Sequence, residues 1–272
     1  MAPIIALERV ARTFRAGAAS ARVLGPVDLE VRTGELTLVM GPSGSGKSTL
    51  LSILGLLLTP TEGRVVLAGE DVSRLGERAR GALRARHVAF VFQQFHLVRS
   101  LTAAENVQMA LALGGLHGAA ARRRARELLA RVGLEGRADA RPRDLSGGQM
   151  QRVGIARALA LPGRLLLADE PTANLDSASG ENVMSILGAL AVEEDRAVVV
   201  VTHDVRWRTP GRRLLHLEDG RFTSPEESDH EAARPSQVIP GPLDRCSVPR
   251  RERDGSRPVA RPGAGALEGL GA

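Results

Sequence analysis

The sequence contains few of the features that stabilise extracellular proteins or anchor membrane proteins. There is one cysteine, Cys246, among 272 residues, and this excludes an intrachain disulfide framework. The first residues, MAPIIALERV, lack a basic segment followed by an apolar one, so we expect no secretory signal. The longest apolar run, Leu50 to Leu58, is far shorter than the roughly 20 residues that cross a bilayer. We therefore expect an intracellular protein without a membrane span of its own.

Aromatic residues and lysine are also scarce. Tyrosine is absent, aromatic residues make up 2% of the chain, and a single lysine, Lys47, stands against 36 arginines. The lack of aromatics leaves few platforms on which nucleic-acid bases can stack. The formal net charge of +6 permits contact with nucleic acid or an anionic membrane surface but specifies neither. The position of the one lysine is more informative than these totals.

The composition changes near residue 224. Residues 225–272 hold 7 prolines and 6 glycines but only 7 residues of the Leu, Ile, Val and Phe types. Such a segment buries too little apolar surface to offset the entropy lost on ordering. We therefore predict a folded domain over residues 1–224 and a disordered tail over 225–272.

Residues 1–224 alternate strand and helix patterns. Apolar runs typical of strands occupy residues 35–40, 64–68, 88–92, 165–168 and 197–201. Helices are predicted at residues 48–57 and 119–132. No strand pattern occurs between residues 93 and 153. This order predicts an α/β domain with a helical insertion.

A glycine-rich loop follows the strand at residues 35–40. Its sequence, GPSGSGKST, fits the pattern G-x-x-x-x-G-K-[ST] between a strand and a helix. Glycines let backbone N–H groups converge on phosphate oxygens, and the helix N-terminus adds positive potential. Lys47 can reach the β- and γ-phosphates, and the Ser48 hydroxyl can bind Mg²⁺. The predicted phosphate site comprises Gly41, Pro42, Ser43, Gly44, Ser45, Gly46, Lys47, Ser48 and Thr49.

Two later strands end in polar residues. The run LLLA is followed by Asp169, which can hold Mg²⁺, and by Glu170, which can polarise a water in line with a γ-phosphate. The run AVVVV is followed by Thr202 and His203, and His203 can donate a hydrogen bond to the γ-phosphate. A solvated strand end and a structural histidine are the alternative interpretations.

A second glycine motif, Ser146-Gly147-Gly148-Gln149, precedes the helical run MQRVGIARALA. It forms a second anion-binding helix N-terminus. One nucleotide needs no second γ-phosphate cradle on the same chain, so this motif is predicted to complete a partner subunit's site.

The chain resembles the ATP-binding cassette (ABC) ATPases in three motifs, namely GPSGSGKST, LSGGQ and LLLADE. The markers keep the family order over residues 3–223.

This resemblance implies a fold and further site residues. The implied fold is a phosphate-loop NTPase core with a mostly parallel sheet, an N-terminal antiparallel β subdomain and a helical subdomain at about 94–155. Gln93, beside Gln94, matches the glutamine that senses Mg²⁺ and contacts the transmembrane partner. Asp176 matches the D-loop, and Phe14 stands where the family stacks an aromatic ring on adenine. Glu170 matches the catalytic glutamate and His203 the switch histidine.

The resemblance also implies partners. The active form is expected to be a head-to-tail homodimer or a pair of ATPase subunits, with two ATP molecules between the phosphate loop of one subunit and LSGGQ of the other. The stretches around LSGGQ and VVTHD resemble those of ATPases of lipoprotein-releasing, macrolide-export and cell-division systems. A separate transmembrane permease and a cytoplasmic location on the inner face of the membrane are implied.

Two alternatives and one departure bear on this expectation. A non-transport ABC ATPase acting on nucleic acid or ribosomes would agree with the basic charge, but the chain lacks a coiled-coil insertion and zinc-ligand cysteine pairs. A small-molecule kinase would leave LSGGQ without a role. No nucleic-acid partner is therefore expected. Pro210-Gly211 departs from the family because it is predicted to interrupt the helix after the switch histidine.

Overall fold

The computed structural model describes residues 2–17, 19–208 and 212–223. The strands are β1 Ile5–Ala16, β2 Ala19–Val31, β3 Leu36–Met40, β4 Glu62–Leu67, β5 Glu70–Asp71, β6 Val88–Val91, β7 Leu165–Asp169, β8 Ala197–Thr202, β9 Arg213–Glu218 and β10 Arg221–Thr223. The helices are α1 Lys47–Leu54, α2 Glu77–His87, α3 Ala103–Leu113, α4 Gly118–Arg131, α5 Gly147–Leu159 and α6 Ser177–Glu193. Short 3₁₀ segments occupy Glu135–Arg137, Pro142–Asp144 and Val205–Trp207.

The strands form two sheets. The first is antiparallel, with the order β2-β1-β4-β5, and the second has the order β10-β9-β3-β8-β7-β6. In the second sheet β3, β6, β7, β8 and β9 run parallel, and only β10 joins antiparallel. The predicted α/β fold with a mostly parallel sheet and an N-terminal antiparallel part is confirmed.

Both faces of the parallel sheet are buried, which explains its continuous apolar runs. In β8, Val198 and Val200 pack in the cluster formed with the helices α3 to α6, while Val199 and Val201 pack in the cluster formed with α1 and the antiparallel sheet. All four side chains have no exposed surface. The strand therefore lies between two apolar layers, and the polar residues that follow it emerge at one edge of the sheet.

The stretch between β6 and β7 is helical. Helix α3 begins at a capping box in which Thr102 accepts from the Glu105 N–H and the Glu105 side chain accepts from the Thr102 N–H. Helix α4 buries Leu128 and Leu129 and exposes most of its arginines, so its apolar face packs against the core. Helix α5 packs against both α3 and α4. The boundaries 1–224 and 94–155 stay predictions.

Some elements differ from the predictions or were missed. Helix α1 ends at Leu54 rather than at Leu57, because Leu56, just after the Gly55 C-cap, adopts a left-handed backbone with a φ of +56°. Helix α2 was not predicted, since none of its residues is buried and it has no apolar stripe. The predicted tail, 225–272, and Pro210-Gly211 lie outside the described residues. Between the end of β8 and residue 208, the chain forms the 3₁₀ segment Val205–Trp207.

Candidate nucleotide site

The phosphate loop connects β3 to α1, as predicted, and two of its glycines lie where backbones pass closest. Gly41 has a φ of +155°, and a Cβ there would be 1.9 Å from the Leu217 carbonyl oxygen. Gly46, with a φ of +101°, occupies the N-cap of α1, and a Cβ there would be 2.8 Å from the Val23 carbonyl oxygen. No other residue fits these positions without backbone movement. The backbone path of the loop therefore requires glycine at positions 41 and 46.

Lys47 is the first residue of α1, and its side chain is buried under the loop. Its Nζ donates to the carbonyl oxygens of Gly41 at 2.8 Å and of Pro42 at 2.7 Å. Burial lowers the pKa of Lys47 below its ordinary value, and the negative charges of Glu170 and Asp169 partly oppose this. Two of its three N–H donors hold the loop, so one remains for a ligand oxygen.

A cavity of about 620 Å³ opens above the loop. Loop residues and the polar ends of β7 and β8 meet there. The lining residues are Val23, Pro42, Ser43, Gly44, Gly46, Lys47, Ser48, Thr49, Asp169, Glu170 and His203. The predicted phosphate loop, acidic strand end and histidine thus line one cavity. Gly41 and Ser45 are not among the lining residues, and Val23 is a lining residue that the sequence analysis missed.

The two carboxylates at the end of β7 have different environments. Burial raises the pKa of Asp169, the neighbouring Glu170 raises it further, and Lys47 opposes both effects. Glu170 follows with a φ of +44°, in the left-handed region that few residues other than glycine adopt. Its N–H donates to the Val201 carbonyl at 2.9 Å, which holds this unusual backbone.

Glu170 and His203 are hydrogen-bonded to each other. His203 follows β8, whose parallel pairing with β7 places Asp169 opposite Val201. The distance between His203 Nδ1 and Glu170 Oε1 is 2.8 Å. The His203 side chain is 67% exposed, whereas that of Glu170 is 15% exposed. The pair therefore sits at the mouth of the cavity, with the carboxylate on the inner side.

Phe14 lies on β1 opposite Ala21 and does not line this cavity. Its ring is 41% exposed, and the guanidinium of Arg12 lies 4.6 Å from the ring centroid. An exposed aromatic face is therefore available, but the structure does not bring it into the cavity with the phosphate loop.

The Ser146–Gln149 motif begins helix α5, as predicted, but lines no part of the same cavity. Ser146 Oγ accepts from the Gln149 N–H at 3.3 Å, and Gln149 Oε1 accepts from the Ser146 N–H at 3.0 Å. This capping box uses only an acceptor position of the Ser146 hydroxyl, so its proton stays free to be donated. Among the described residues, the motif is a preformed helix N-terminus that lies outside the lining of the phosphate-loop cavity.

Asp176 and Gln93 also lie outside the cavity lining. Asp176 caps α6 by accepting from the Ser179 N–H at 2.9 Å, and this bond lowers the pKa of Asp176. Gln93 is exposed in a turn after β6, and its carbonyl accepts from Asn174 Nδ2 at 3.3 Å. The geometry therefore gives Asp176 a capping role and leaves the functional roles of both residues as predictions.

Sequence reasoning missed the side chain that holds this turn. Arg157 of α5 donates to the Phe95 carbonyl at 2.9 Å and to the His96 carbonyl. Phe95 and His96 have φ values of +54° and +48°, so two successive residues adopt a left-handed backbone. Burial lowers the pKa of Arg157. No local pattern marks this contact, since about 60 residues separate its partners.

The fold and the site together define a phosphate-loop nucleotide-binding domain of the NTPase class. The sequence profile of the ABC transporter family matches residues 24–173, more than half of the chain, and the chain belongs to that family. This confirms the resemblance drawn from GPSGSGKST, LSGGQ and LLLADE.

Curated relatives and solved structures agree with this membership. The macrolide export ATP-binding/permease protein MacB 1/2 of Paracoccus denitrificans is 46% identical over 234 residues, which are 86% of this chain and 35% of the relative. MacB of Brucella melitensis is 47% identical over 223 residues, which are 82% of this chain and 34% of the relative. The chain thus spans about a third of the length of the curated relatives it matches.

Two solved cassettes share the fold. The ATP-binding cassette MJ0796, a dimer in a post-hydrolysis state bound to ADP and Pi, matches with a TM-score of 0.74 at 42% identity, covering 81% of this chain and 97% of that chain. CbiO1 from Clostridium perfringens, part of the ABC transporter complex cbiONQ, matches with a TM-score of 0.74 at 26% identity, covering 85% and 92%. Within the described part of this chain, no helix is long and apolar enough to cross a membrane.

Proposed function

We propose that this chain binds ATP at the phosphate loop and hydrolyses it to energise a membrane transporter. The observation that carries the proposal is the Glu170–His203 hydrogen bond at the mouth of a cavity that Lys47 and Asp169 also line. A cation, a metal-binding carboxylate and a candidate water-orienting carboxylate meet there, and γ-phosphate hydrolysis needs all three. The membership in the ABC transporter family supports the same activity.

The donor set fits Mg²⁺. Ser48 supplies a hydroxyl and Asp169 a carboxylate, both hard oxygen ligands on the cavity wall. Among the described residues, no group of three or more His, Cys, Asp or Glu residues is arranged to hold a metal. The phosphates and water would therefore supply the remaining ligands. When bound there, Mg²⁺ neutralises charge on the β- and γ-phosphate oxygens. Gln93 would join Ser48 and Asp169 only after its turn moves toward the loop.

The chain's own groups then have different roles at the γ-phosphate. Lys47 directs its remaining donor at a phosphate oxygen, and the backbone N–H groups of the loop bind the other oxygens. Glu170 accepts a hydrogen bond from the attacking water and orients it in line with the leaving group. With His203 Nδ1–H donated to Glu170, Nε2 donates to a phosphate oxygen only when the imidazole carries both protons.

The active form is proposed to be a dimer. The preformed N-terminus of α5, Ser146–Gln149, would contact the γ-phosphate held by the partner, with the free proton of the Ser146 hydroxyl as one donor. The dimeric MJ0796 cassette supports this arrangement for the family. By resemblance, Asp176 lies next to that interface. Phe14 is proposed to stack on adenine, and these two residues complete the proposed nucleotide contacts.

A separate transmembrane permease is the proposed partner, with the chain on the cytoplasmic face of the membrane. The curated relatives include proteins named for macrolide export, and this supports an export or mechanotransmission role in which Gln93 and helices α3 to α5 pass motion to the permease. A nucleic-acid or ribosome role is not favoured by these relatives. The boundaries 1–224 and 94–155 and the disordered tail 225–272 are part of the same proposal.

Size-exclusion chromatography of Glu170→Gln, with and without ATP–Mg²⁺, tests the proposal beside wild-type hydrolysis rates. We expect an ATP-dependent shift from monomer to dimer and a loss of hydrolysis of at least about a hundredfold. Lys47→Ala is the matched control, which should neither shift nor hydrolyse because it lacks the phosphate contact. Wild-type hydrolysis no faster than that of Lys47→Ala, or undiminished hydrolysis by Glu170→Gln, would refute the proposed roles.

A further inference from the structure

Two short loops carry Glu170 and His203, and they touch each other twice. At the cavity, His203 Nδ1 meets Glu170 Oε1 at 2.8 Å. Inside the core, the indole Nε1 of Trp207 donates to Thr172 Oγ1 at 3.1 Å. Trp207 and Thr172 follow His203 and Glu170 by four and two residues, so each loop supplies one member to each contact.

The inner contact is much better shielded from water than the outer one. Trp207 is 7% exposed and Thr172 is 3% exposed, whereas the His203 side chain is 67% exposed. A hydrogen bond to an exposed side chain contributes little net stability, because water competes for both partners. Breaking the inner bond while both groups stay buried leaves an indole N–H without a partner, which is far more costly. The inner bond is therefore the more costly of the two to break.

Helix α6 packs closely against the Trp207–Thr172 pair. A Cβ at Gly180 would lie 3.3 Å from Trp207 Cζ2 and 3.6 Å from Thr172 Cβ, so this glycine rests against both partners at once. Arg206, which precedes Trp207, donates to Ser177 Oγ in the first turn of the same helix at 2.8 Å. The loop after β8 is thus held at its far end by two contacts, while His203 at its near end is hydrogen-bonded to Glu170.

We propose that Trp207 is a positioning residue, whose hydrogen bond to Thr172 holds the His203 loop at the distance from which His203 reaches Glu170. The inference rests on the proposed function, in which Glu170 and His203 act at the γ-phosphate. It goes beyond that function because neither Trp207 nor Thr172 lines the phosphate-loop cavity. The alternative is that the indole ring only fills the core.

Two substitutions at one position separate these roles. Thr172→Val keeps the shape and the methyl group near Gly180 but removes the hydroxyl that accepts the indole N–H. Thr172→Ser keeps the hydroxyl and removes the methyl group. A positioning role makes the valine variant the impaired one, whereas a packing role makes the serine variant the impaired one. Trp207→Phe, which retains a ring but lacks the N–H, is the second test of the same bond.

The experiment uses the full chain and two readouts, namely steady-state ATP hydrolysis and the ¹H–¹³C NMR signal of the His203 imidazole, assigned by its loss in His203→Gln. We expect Thr172→Val to lower kcat about tenfold with KM for ATP within about twofold, and to shift the His203 signal. Thr172→Ser should keep both wild-type values. Trp207→Phe combined with Thr172→Val should be no worse than Trp207→Phe alone, because the bond is already absent.

Two outcomes would overturn the inference. One is a Thr172→Val variant with wild-type kcat and an unshifted His203 signal. The other is a Thr172→Ser variant impaired as much as the valine variant. If the wild type hydrolyses no more ATP than Lys47→Ala, the proposed function fails instead. The His203 NMR signal alone then tests whether Trp207 positions the His203 loop. A shift in Thr172→Val but not in Thr172→Ser supports positioning, and an unshifted signal refutes it.

Discussion

Gly148 and Ser179 are in such close contact that a Cβ on Gly148 would lie 2.6 Å from Ser179 Oγ and 2.7 Å from Ser179 Cβ. Gly148, the second glycine of the Ser146–Gln149 motif, therefore has a structural role within its own chain. It lets the start of α5 lie against the first turn of α6.

The first prediction concerns this contact. Gly148→Ala should lower the free energy of unfolding by about 1–3 kcal/mol, because the methyl group overpacks the α5–α6 contact. Adding Ser179→Gly should recover most of the loss, since it removes the atoms that clash. Urea unfolding of both variants, with Ser179→Gly alone as the control, measures the effect. Equal stability of Gly148→Ala and the wild type would show that α6 can move away freely.

The second prediction compares two glycines of the phosphate loop. Gly41→Ala should destabilise the protein by at least about 3 kcal/mol, because its Cβ meets a backbone carbonyl that cannot rotate away. Gly44→Ala has open space around its Cβ and a φ of +84°, so it should cost only about 1–2 kcal/mol. Thermal unfolding distinguishes the two. Similar losses for both variants would contradict the close approach of Gly41 to Leu217.

The third prediction concerns the charge of Asp169. Because its pKa is raised, the folded protein binds this proton more tightly than the unfolded chain does, and stability falls as pH rises through the titration of Asp169. Asp169→Asn removes this cost. Without nucleotide or Mg²⁺, the variant should melt higher than the wild type at pH 7, with the difference vanishing below the ordinary carboxyl pKa of about 4.

The same Asp169→Asn variant should lose ATP hydrolysis by at least about a hundredfold, since it lacks the proposed Mg²⁺ ligand. Melting curves from pH 3 to pH 8 and hydrolysis rates test the two effects separately. A variant less stable than the wild type at pH 7 would mean that attraction to Lys47 outweighs the burial of the carboxylate.

The fourth prediction concerns the turn held by Arg157. Arg157→Gln should lower the free energy of unfolding by about 1–3 kcal/mol, because the left-handed carbonyls of Phe95 and His96 lose their shared donor. Amide hydrogen exchange should accelerate in the turn at residues 93–98. Arg152→Gln is the matched control, because Arg152 lies on the same helix and donates to the carbonyls of Val132 and Gly133 instead. Unchanged exchange at the turn in Arg157→Gln would refute the role.

The parts of the fold that the sequence predicts well are those with strong local patterns. The strands β7 and β8 are continuous apolar runs because both of their faces are buried, and polar residues follow directly at the sheet edge. By contrast, β1 carries register shifts and a residue of positive φ, Arg9, which break the alternation that a strand search relies on.

The candidate site follows the same rule. The phosphate loop, Asp169, Glu170 and His203 are recognisable because each occupies a fixed position next to a strand. Contacts such as Trp207 with Thr172 join residues 35 positions apart and leave no local signal. The role of Phe14 stays a prediction, since its place in the sequence agrees with the family while it is not among the residues that line the cavity.

The hydrogen bonds of Lys47 to Gly41 and Pro42 have a consequence for the speed of the reaction cycle. They keep the phosphate loop in shape with the chain's own atoms, and the N-terminus of α1 is formed at the same time. A rigid template loses little conformational entropy when it takes up a ligand. Each turnover can then start without a refolding step at the loop. In the proposed dimer, the rate of the cycle is then set by the movements that bring a second protomer and its helix α5 against the γ-phosphate.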